Sequence, residues 1–279
     1  VYALFWTSSR QTFLFGRQVK FVKLKTQGEI DAMAVAGVAA AKTLHGLKDA
    51  CKVGANTLAL EMMARDLLAS FGARPALLNY HPRFSKEPYR FATCISVNDA
   101  VIHGQPSEKT VLREGDVVGL DLVADVDGWL ADTALTVIIG SGNVKAQRLL
   151  SVTQESMWHG IRQAVVGNRM GDVSNAVQKL VERNGFGVIK ELTGHGVGSE
   201  VHEEGIDVPN FGRAGKGLPL VEGMTFCIEP MVTAGSPAVR HRPGDPWAVV
   251  TRDGSIGAHF EHTVAVTKDG PRVLTLLPT

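Results

Sequence analysis

Apolar residues recur at helical spacing between residues 28 and 49, where Ile30, Met33, Ala34, Gly37, Val38, Ala41 and Leu44–His45 share a face. Asn56 and Thr57 can cap a second helix that carries Leu58, Met62, Leu67 and Leu68 and stops at Gly72. The same two-helix pattern returns at about 144–166 and 172–184. Apolar runs of strand length follow each pair. Val117–Val126 and Trp129–Ile139 flank Asp127-Gly128, a hairpin-turn signal, and Met224–Val232 and Glu261–Thr267 are their counterparts. Helices and strands are segregated within each half, which predicts an α+β fold.

The two halves also share dipeptides in the same order. Val53-Gly54 and Phe71-Gly72 recur as Val166-Gly167 and Phe186-Gly187. His103-Gly104 with Ser107 recurs as His195-Gly196 with Ser199. Glu114-Gly115 before Asp121 recurs as Glu222-Gly223 before Glu229. This order predicts a duplicated unit, with pseudo-repeats at about 28–140 and 143–268 inside a single domain spanning 21–279.

Composition narrows the class. The 279 residues are 44% apolar and 20% charged, enough to bury a core and too apolar for a disordered chain. A net charge of +1 gives no electrostatic footprint for nucleic acid or an anionic membrane. Cys51, Cys94 and Cys227 are widely spaced and odd in number, which fits a reducing, cytoplasmic setting. No apolar run reaches the roughly 18 residues of a membrane span. Residues 1–20 are aromatic and basic, without an acid, and lack the order of an export signal. They read as a flexible or surface-packed extension.

The acids inside the strands carry the chemistry. Asp121 lies within VVGLDLVA and Glu229 within MTFCIEPMV, where an ionised carboxylate is costly unless paired or bound to a metal. An even-length loop around Asp127-Gly128 puts Asp121 and Asp132 on one side of the hairpin, opposite or diagonal. Two carboxylates facing one space need a shared proton or a cation. A buried salt bridge or turn cap would also account for Asp132 alone. Glu229 is the repeat counterpart of Asp121, and Glu261 that of Asp132, so a site at the axis between the halves is expected. His103 and His195 precede glycines that permit close approach to a ligand, and His202 follows His195 by seven residues. His45, His81, His159, His241, His259 and His262 have no such context and read as surface or packed histidines, His262 being the less certain because it adjoins Glu261.

NDAVIHG, GLDLVADVDGWLADT, GHGVGSEVHEE, GMTFCIEPM and FEHT occur in that order. Together they resemble the type I methionine aminopeptidases, over about residues 20–268. The resemblance implies a pita-bread (creatinase/aminopeptidase) fold, two pseudo-symmetric halves around a curved antiparallel sheet covered by helices. It implies two divalent ions, Co, Mn, Fe or Zn. Asp132 and Glu261 would bridge them, Asp121 would chelate one, and His195 with Glu229 would complete the other. Two ions about 3.5–4 Å apart would generate a hydroxide near neutral pH, with Glu229 as proton shuttle and His103 and His202 as non-ligand histidines of the cleft. The implied substrate is an initiator methionine ahead of a small residue, its side chain held by Tyr80, Cys94, His103, His202 and Trp247.

The sequence departs from the family between Tyr80 and Cys94, where residues are inserted, and Arg83 stands where a second pocket aromatic is expected. Phe84, Tyr89 or Phe91 are its candidate replacements, and Val201 stands where an aromatic residue is common. Implied partners are the N-termini of nascent proteins and peptides, with the ribosome, for a cytoplasmic monomer without nucleic-acid specificity or membrane attachment. Two rivals remain at this level. One is a proline-specific peptidase of the same fold, which would carry a large N-terminal domain. The other is a silent binding protein, which should have lost ligands.

Overall fold

The computed structural model describes residues 6–7, 10–15, 18–82 and 85–278. Strands β1 (Trp6–Thr7), β2 (Arg10–Phe15) and β3 (Gln18–Lys23) form a small antiparallel sheet, and β3 runs across residue 20 into the body of the chain. Lys25, just beyond it, is buried and ion-paired to Glu203.

The first helix pair is α1 (Gln27–Ala50) and α2 (Thr57–Ser70). A capping box between Thr26 and Glu29 starts α1, and the Asn56 side chain accepts from Ala59 N at the start of α2. The buried face of α2 differs from the sequence expectation. Leu60, Glu61, Ala64 and Leu68 are buried, whereas Met62 is exposed. The reason is Glu61, a buried acid whose partners lie across the fold and turn that face inward.

Short β4 (Arg74–Pro75), β5 (Thr93–Val97) and β6 (Ala100–Ile102) lead to the long hairpin β7 (Val117–Val126) and β8 (Trp129–Ile138). The second helix pair is α3 (Val144–Ile161) and α4 (Met170–Arg183). α3 ends five residues earlier than its apolar pattern, in a turn closed by Gln163 N on Gly160 O and Ala164 N on Ile161 O. α4 begins two residues earlier than expected, where the Asp172 carboxylate accepts from Arg169 N at 2.8 Å. Gly54 and Gly167, the paired glycines of the sequence repeat, both take a left-handed backbone, with φ of 89° and 95°.

The second half continues through β9 (Gly187–Val188), β10 (Thr193–Gly196), β11 (Glu203–Pro209), β12 (Thr225–Ile228) and β13 (Met231–Thr233). It ends with β14 (Val239–His241), β15 (Val249–Thr251), β16 (Gly257–His259), β17 (Glu261–Thr267) and β18 (Gly270–Val273). The single strand expected over 224–232 is interrupted at Glu229-Pro230, because proline has no N–H for the ladder.

The main sheet has the order β11-β10-β12-β17-β8-β7-β4, with β18 on β17 and β5 on β7, all antiparallel. Alternation along each strand sorts its two faces. Val118, Leu120, Leu122 and Ala124 of β7 pack on Leu44, Leu47, Leu60 and Leu68 of the first helix pair. Phe226 and Ile228 of β12 and Val264 and Val266 of β17 pack on Met157, Ile161, Met170 and Val173 of the second. The residues between them face the other way, and these carry the acids. This is the curled antiparallel half-barrel of the pita-bread fold. Among the described residues, no helix is long and apolar enough to cross a membrane.

Candidate metal centre

Strand register assembles the site. Asp121 pairs with Ala134 and Asp132 with Val123, so the two acids are diagonal neighbours on one face of the β7–β8 hairpin. Glu261 pairs with Ala134 from the other side, and Cys94 pairs with Asp121. A row therefore runs Cys94, Asp121, Ala134, Glu261 across four strands, with the small Ala134 leaving space between two carboxylates. One step along, the Thr263 hydroxyl donates to Asp132 O at 2.8 Å and accepts Asp132 N at 2.9 Å. This locks the backbone that presents Asp132.

Glu229 leaves the end of β12, and the buried Asn210 side chain donates to its carbonyl at 2.9 Å. His195 sits at a bulge in β10, with Nδ1 3.1 Å from Gly196 O. A proton on Nδ1 bonded there leaves Nε2 as a lone-pair donor. That Nε2 lies 3.5 Å from Glu229 Oε1 and 3.7 Å from Asp132 Oδ2. Single donor atoms of Asp132, His195, Cys227 and Glu261 lie within 4.8 Å of one another.

The site fits a cation. Asp132 Oδ1, Glu229 Oε1, Glu261 Oε1 and His259 Nε2 are buried without a hydrogen-bond partner. Such a cluster is costly unless a positive charge joins it. Burial raises Asp132 well above the usual carboxylate range, and Glu261, Asp121 and Glu229 add to the shift. Glu261 is raised by burial, then by Glu229 and Asp121. Glu229 is raised by burial and by Asp121, and Asp121 by burial. The histidines move the other way: burial lowers His195 to about 3 and His103 and His202 to about 4, so all three are neutral imidazoles near pH 7.

A cavity of about 410 Å³ opens over these groups, lined also by Leu77, Cys94, Ile102, His103, Val201, His202 and Met231. All five acids and histidines expected as ligands face it, as do His103, His202 and Cys94. His103 holds a left-handed backbone at φ 57°, and the His195 and His202 rings are 4.0 Å apart. Tyr80 Oη lies 2.6 Å from His202 Nδ1.

Two expected pocket residues are placed differently. Tyr80 lies in an adjoining hollow with His202, and Trp247 packs edge-on against Tyr89 at 5.1 Å; neither lines the cavity. The segment between Tyr80 and Cys94 fills the space beside Trp247. It brings the buried Tyr89 between Trp247 and the Cys94 strand, where its hydroxyl donates to Thr93 O at 2.9 Å and Gly104 O at 3.2 Å. Phe91 stacks edge-on against Tyr89 at 5.9 Å, whereas Arg83 and Phe84 lie outside the described residues.

Sequence reasoning missed two members. His259, read as a surface or packed histidine, is buried, lines the cavity, and lies 3.4 Å from Glu229 Oε2. Cys227 was not read as a donor. Cys227 lies two residues before Glu229, and the same alternation that united Asp121 with Asp132 was the available signal there; His259 ends a strand of another sheet, and no alternation reaches it.

A curled sheet with a buried acid and histidine centre defines a metallopeptidase. The model of metallopeptidase family M24 matches residues 31–268, and the chain belongs to that family. Within it, the chain belongs with the methionine aminopeptidases. It is 44% identical to that of Aquifex aeolicus over 92% of this chain and 99% of the relative. It is 40% identical to methionine aminopeptidase 1 of Mycobacterium tuberculosis, over 94% and 97%. The Thermotoga maritima methionine aminopeptidase structure superposes with a TM-score of 0.87 at 38% identity, over 91% of this chain and 99% of that one. Prolidase from Pyrococcus furiosus, at 22% identity and a TM-score of 0.71, shares the fold.

Proposed function

We propose that the protein is a metal-dependent methionyl aminopeptidase that removes an N-terminal methionine ahead of a small residue. The observation that carries this reading is the set of four buried polar atoms without a hydrogen-bond partner, on residues that line one cavity. Asp121, Asp132, His195, Glu229 and Glu261 would hold two divalent ions, of the Mn, Fe, Co or Zn kind that suits an oxygen-rich set with one imidazole. Such ions, when bound, polarise the scissile carbonyl and acidify a water.

The chain's own groups do the rest. Glu229 lies between His195 and His259, and its carboxyl, held above the usual carboxylate range by burial, suits a group that takes a proton from water and passes it to the leaving amine. The Tyr80 hydroxyl donates to His202 Nδ1 and so keeps the proton on Nε2, which donates to the carbonyl oxygen of the substrate. His103, held at its left-handed turn, contacts the substrate main chain. Leu77, Cys94, Ile102 and Met231 make an apolar wall for an unbranched thioether, with a soft sulfur in it.

The test compares Met-Ala-Ser, Met-Lys, Leu-Ala and Ala-Pro peptides before and after exhaustive chelation. Chelation should abolish cleavage of Met-Ala-Ser, and Mn, Fe or Co should restore it, with little turnover of the other three. Full activity in metal-free protein overturns the metal reading. Equal rates on Met-Ala-Ser and Leu-Ala overturn the specificity, and preference for Ala-Pro favours the proline-specific rival.

A further inference from the structure

Cys227 stands inside the metal centre without a part in the reaction described above. Its place follows from register. Cys227 pairs with Thr263, whose hydroxyl holds Asp132 from the far side. On its other side Gly196 pairs with Phe226, so one further step of the antiparallel count brings His195 opposite Cys227. Cross-strand neighbours on one face have Cβ atoms about 4.5–5.5 Å apart. The thiol thus occupies the row between His195 and Asp132, and Glu229, two residues on, shares its face.

The atoms agree with the register. Cys227 Sγ belongs to the group of donors within 4.8 Å of one another, with His195, Asp132 and Glu261. It lies 3.8 Å from Thr263 Oγ1, and within donor distance of the Glu261 carboxyl. It is fully buried, and two of its neighbours, Asp132 and Glu261, each carry a buried oxygen without a hydrogen-bond partner. A cysteine that only fills space needs no such company. Cys94, the thiol that lines the cavity, lies at the opposite end of the neighbouring row, against Asp121 and Tyr89.

We infer that Cys227 supplies a sulfur donor to the ion that His195 and Glu229 hold. On binding, the thiol would give up its proton to solvent and coordinate as a thiolate; nothing is oxidised or reduced. A soft thiolate among hard oxygens shifts the preference toward Zn, Cd and Co at the expense of Mn. The inference rests on the metal centre proposed above and adds one ligand to it.

The experiment is a cobalt(II) titration of the chelated protein, followed by near-ultraviolet absorption with cobalt content measured by elemental analysis. The expected result is a sulfur-to-cobalt charge-transfer band that grows with bound cobalt in the native protein and in Cys94→Ser. It should vanish in Cys227→Ser, which should still bind cobalt. Competition between Cd and Mn should shift at least about tenfold toward Mn in Cys227→Ser, the lower end of what altering even an outer-shell partner of a metal costs. Bound cobalt without the band in native protein overturns the inference and leaves the metal centre standing. A band lost in Cys94→Ser and kept in Cys227→Ser also overturns it. If no cobalt binds, the metal centre itself fails and the sulfur ligand with it. If Cys227→Ser does not fold, the native and Cys94→Ser spectra alone decide.

Discussion

The metal centre and the substrate wall are built on opposite principles. Asp121, Asp132 and Glu261 stand on strands paired on both sides, so their spacing is a property of the ladder. The wall draws Cys94 from β5, Ile102 from β6 and Met231 from β13, three strands of three different sheets, with Leu77 from the loop after β4, so no single ladder sets its spacing. One residue keeps the two regions from disturbing each other. Glu61 of α2, fully buried, accepts Ala92 N at 2.7 Å, Thr93 N at 2.9 Å and Thr93 Oγ1 at 2.6 Å, and it takes Arg65 Nε at 2.7 Å. The loop after Tyr80 is tied off there, one residue before Cys94 meets Asp121. The loop changes the wall without shifting the row.

The contrast breaks most sharply at Asp132. Asp132→Asn should lose bound metal and bring peptidase activity to background, because the amide supplies less charge and no second anionic oxygen. Elemental analysis beside turnover reads both. Retained metal and activity would remove Asp132 from the centre. The histidines come next. His195→Ala should weaken metal binding. His202→Ala should keep the metal and lose roughly 10²–10³ in turnover, the worth of one donor to a developing oxyanion. If His202→Ala loses metal as readily as His195→Ala, His202 belongs to the centre and the division between centre and wall fails there.

Much of the centre was legible because strands obey parity. The turn at Asp127-Gly128 placed Asp121 with Asp132, and the ladder makes them diagonal neighbours. Parity applied once more along β12, from Glu229 back to residue 227, would have found Cys227, whereas His259 ends a strand of another sheet and no parity reaches it. The wall was legible only in part, since no single period links strands of three sheets: Cys94 and His103 line the cavity as read, Tyr80 and Trp247 do not, and Leu77, Ile102 and Met231 were not read. The face of α2 was misread for a related reason. A hydrophobic pattern cannot flag Glu61, whose burial depends on amides some thirty residues away.

Glu61 supplies a smaller effect that still separates the regions. Glu61→Gln turns one acceptor into a donor facing the Ala92 and Thr93 amides and removes the Arg65 pairing. A loss of about 3 kcal/mol in denaturant unfolding is expected, from one unsatisfied buried group and a weakened charge-assisted bond. KM for Met-Ala-Ser should rise more than metal affinity falls. Equal loss of both would mean that the tie serves the centre as much as the wall.

Acidity reads the same contrast without mutation. In metal-free protein, Asp132, Glu229 and Glu261 have folded pKa values above their unfolded ones. Their contribution to stability is present below the ordinary carboxylate range and lost as pH rises through the raised values. His103, His195 and His202 are depressed to about 4, 3 and 4, so their contribution is present above 6.5 and lost as pH falls toward those values. Chelated protein should therefore lose stability as pH rises through the raised carboxyl values, while the opposite trend from the histidines is confined below 6.5. Metal-loaded protein should not show that alkaline fall, because bound ions favour the ionised carboxylates. Thermal melts with chelator and with Mn across this range are the check. Parallel curves would show that the carboxyls are not competing for one space.

The smallest expected effect lies at the wall itself. The Tyr89 hydroxyl donates to Thr93 O and Gly104 O, which joins the Cys94 strand to the turn that carries His103. Gly104 O also accepts Ile95 N at 2.8 Å, so removing the hydroxyl does not leave that carbonyl bare. Tyr89→Phe keeps the ring against Trp247 and should cost only about 1 kcal/mol of stability. The join it loosens sets the distance between Cys94 and His103 across the cavity. KM for methionyl peptides should rise several-fold, about the equivalent of that 1 kcal/mol, with metal content unchanged and kcat nearly so. A fall in kcat with KM unchanged would place Tyr89 in the chemistry. A loss of metal would show that the loop after Tyr80 reaches the row after all, and the separation of wall from centre would not hold.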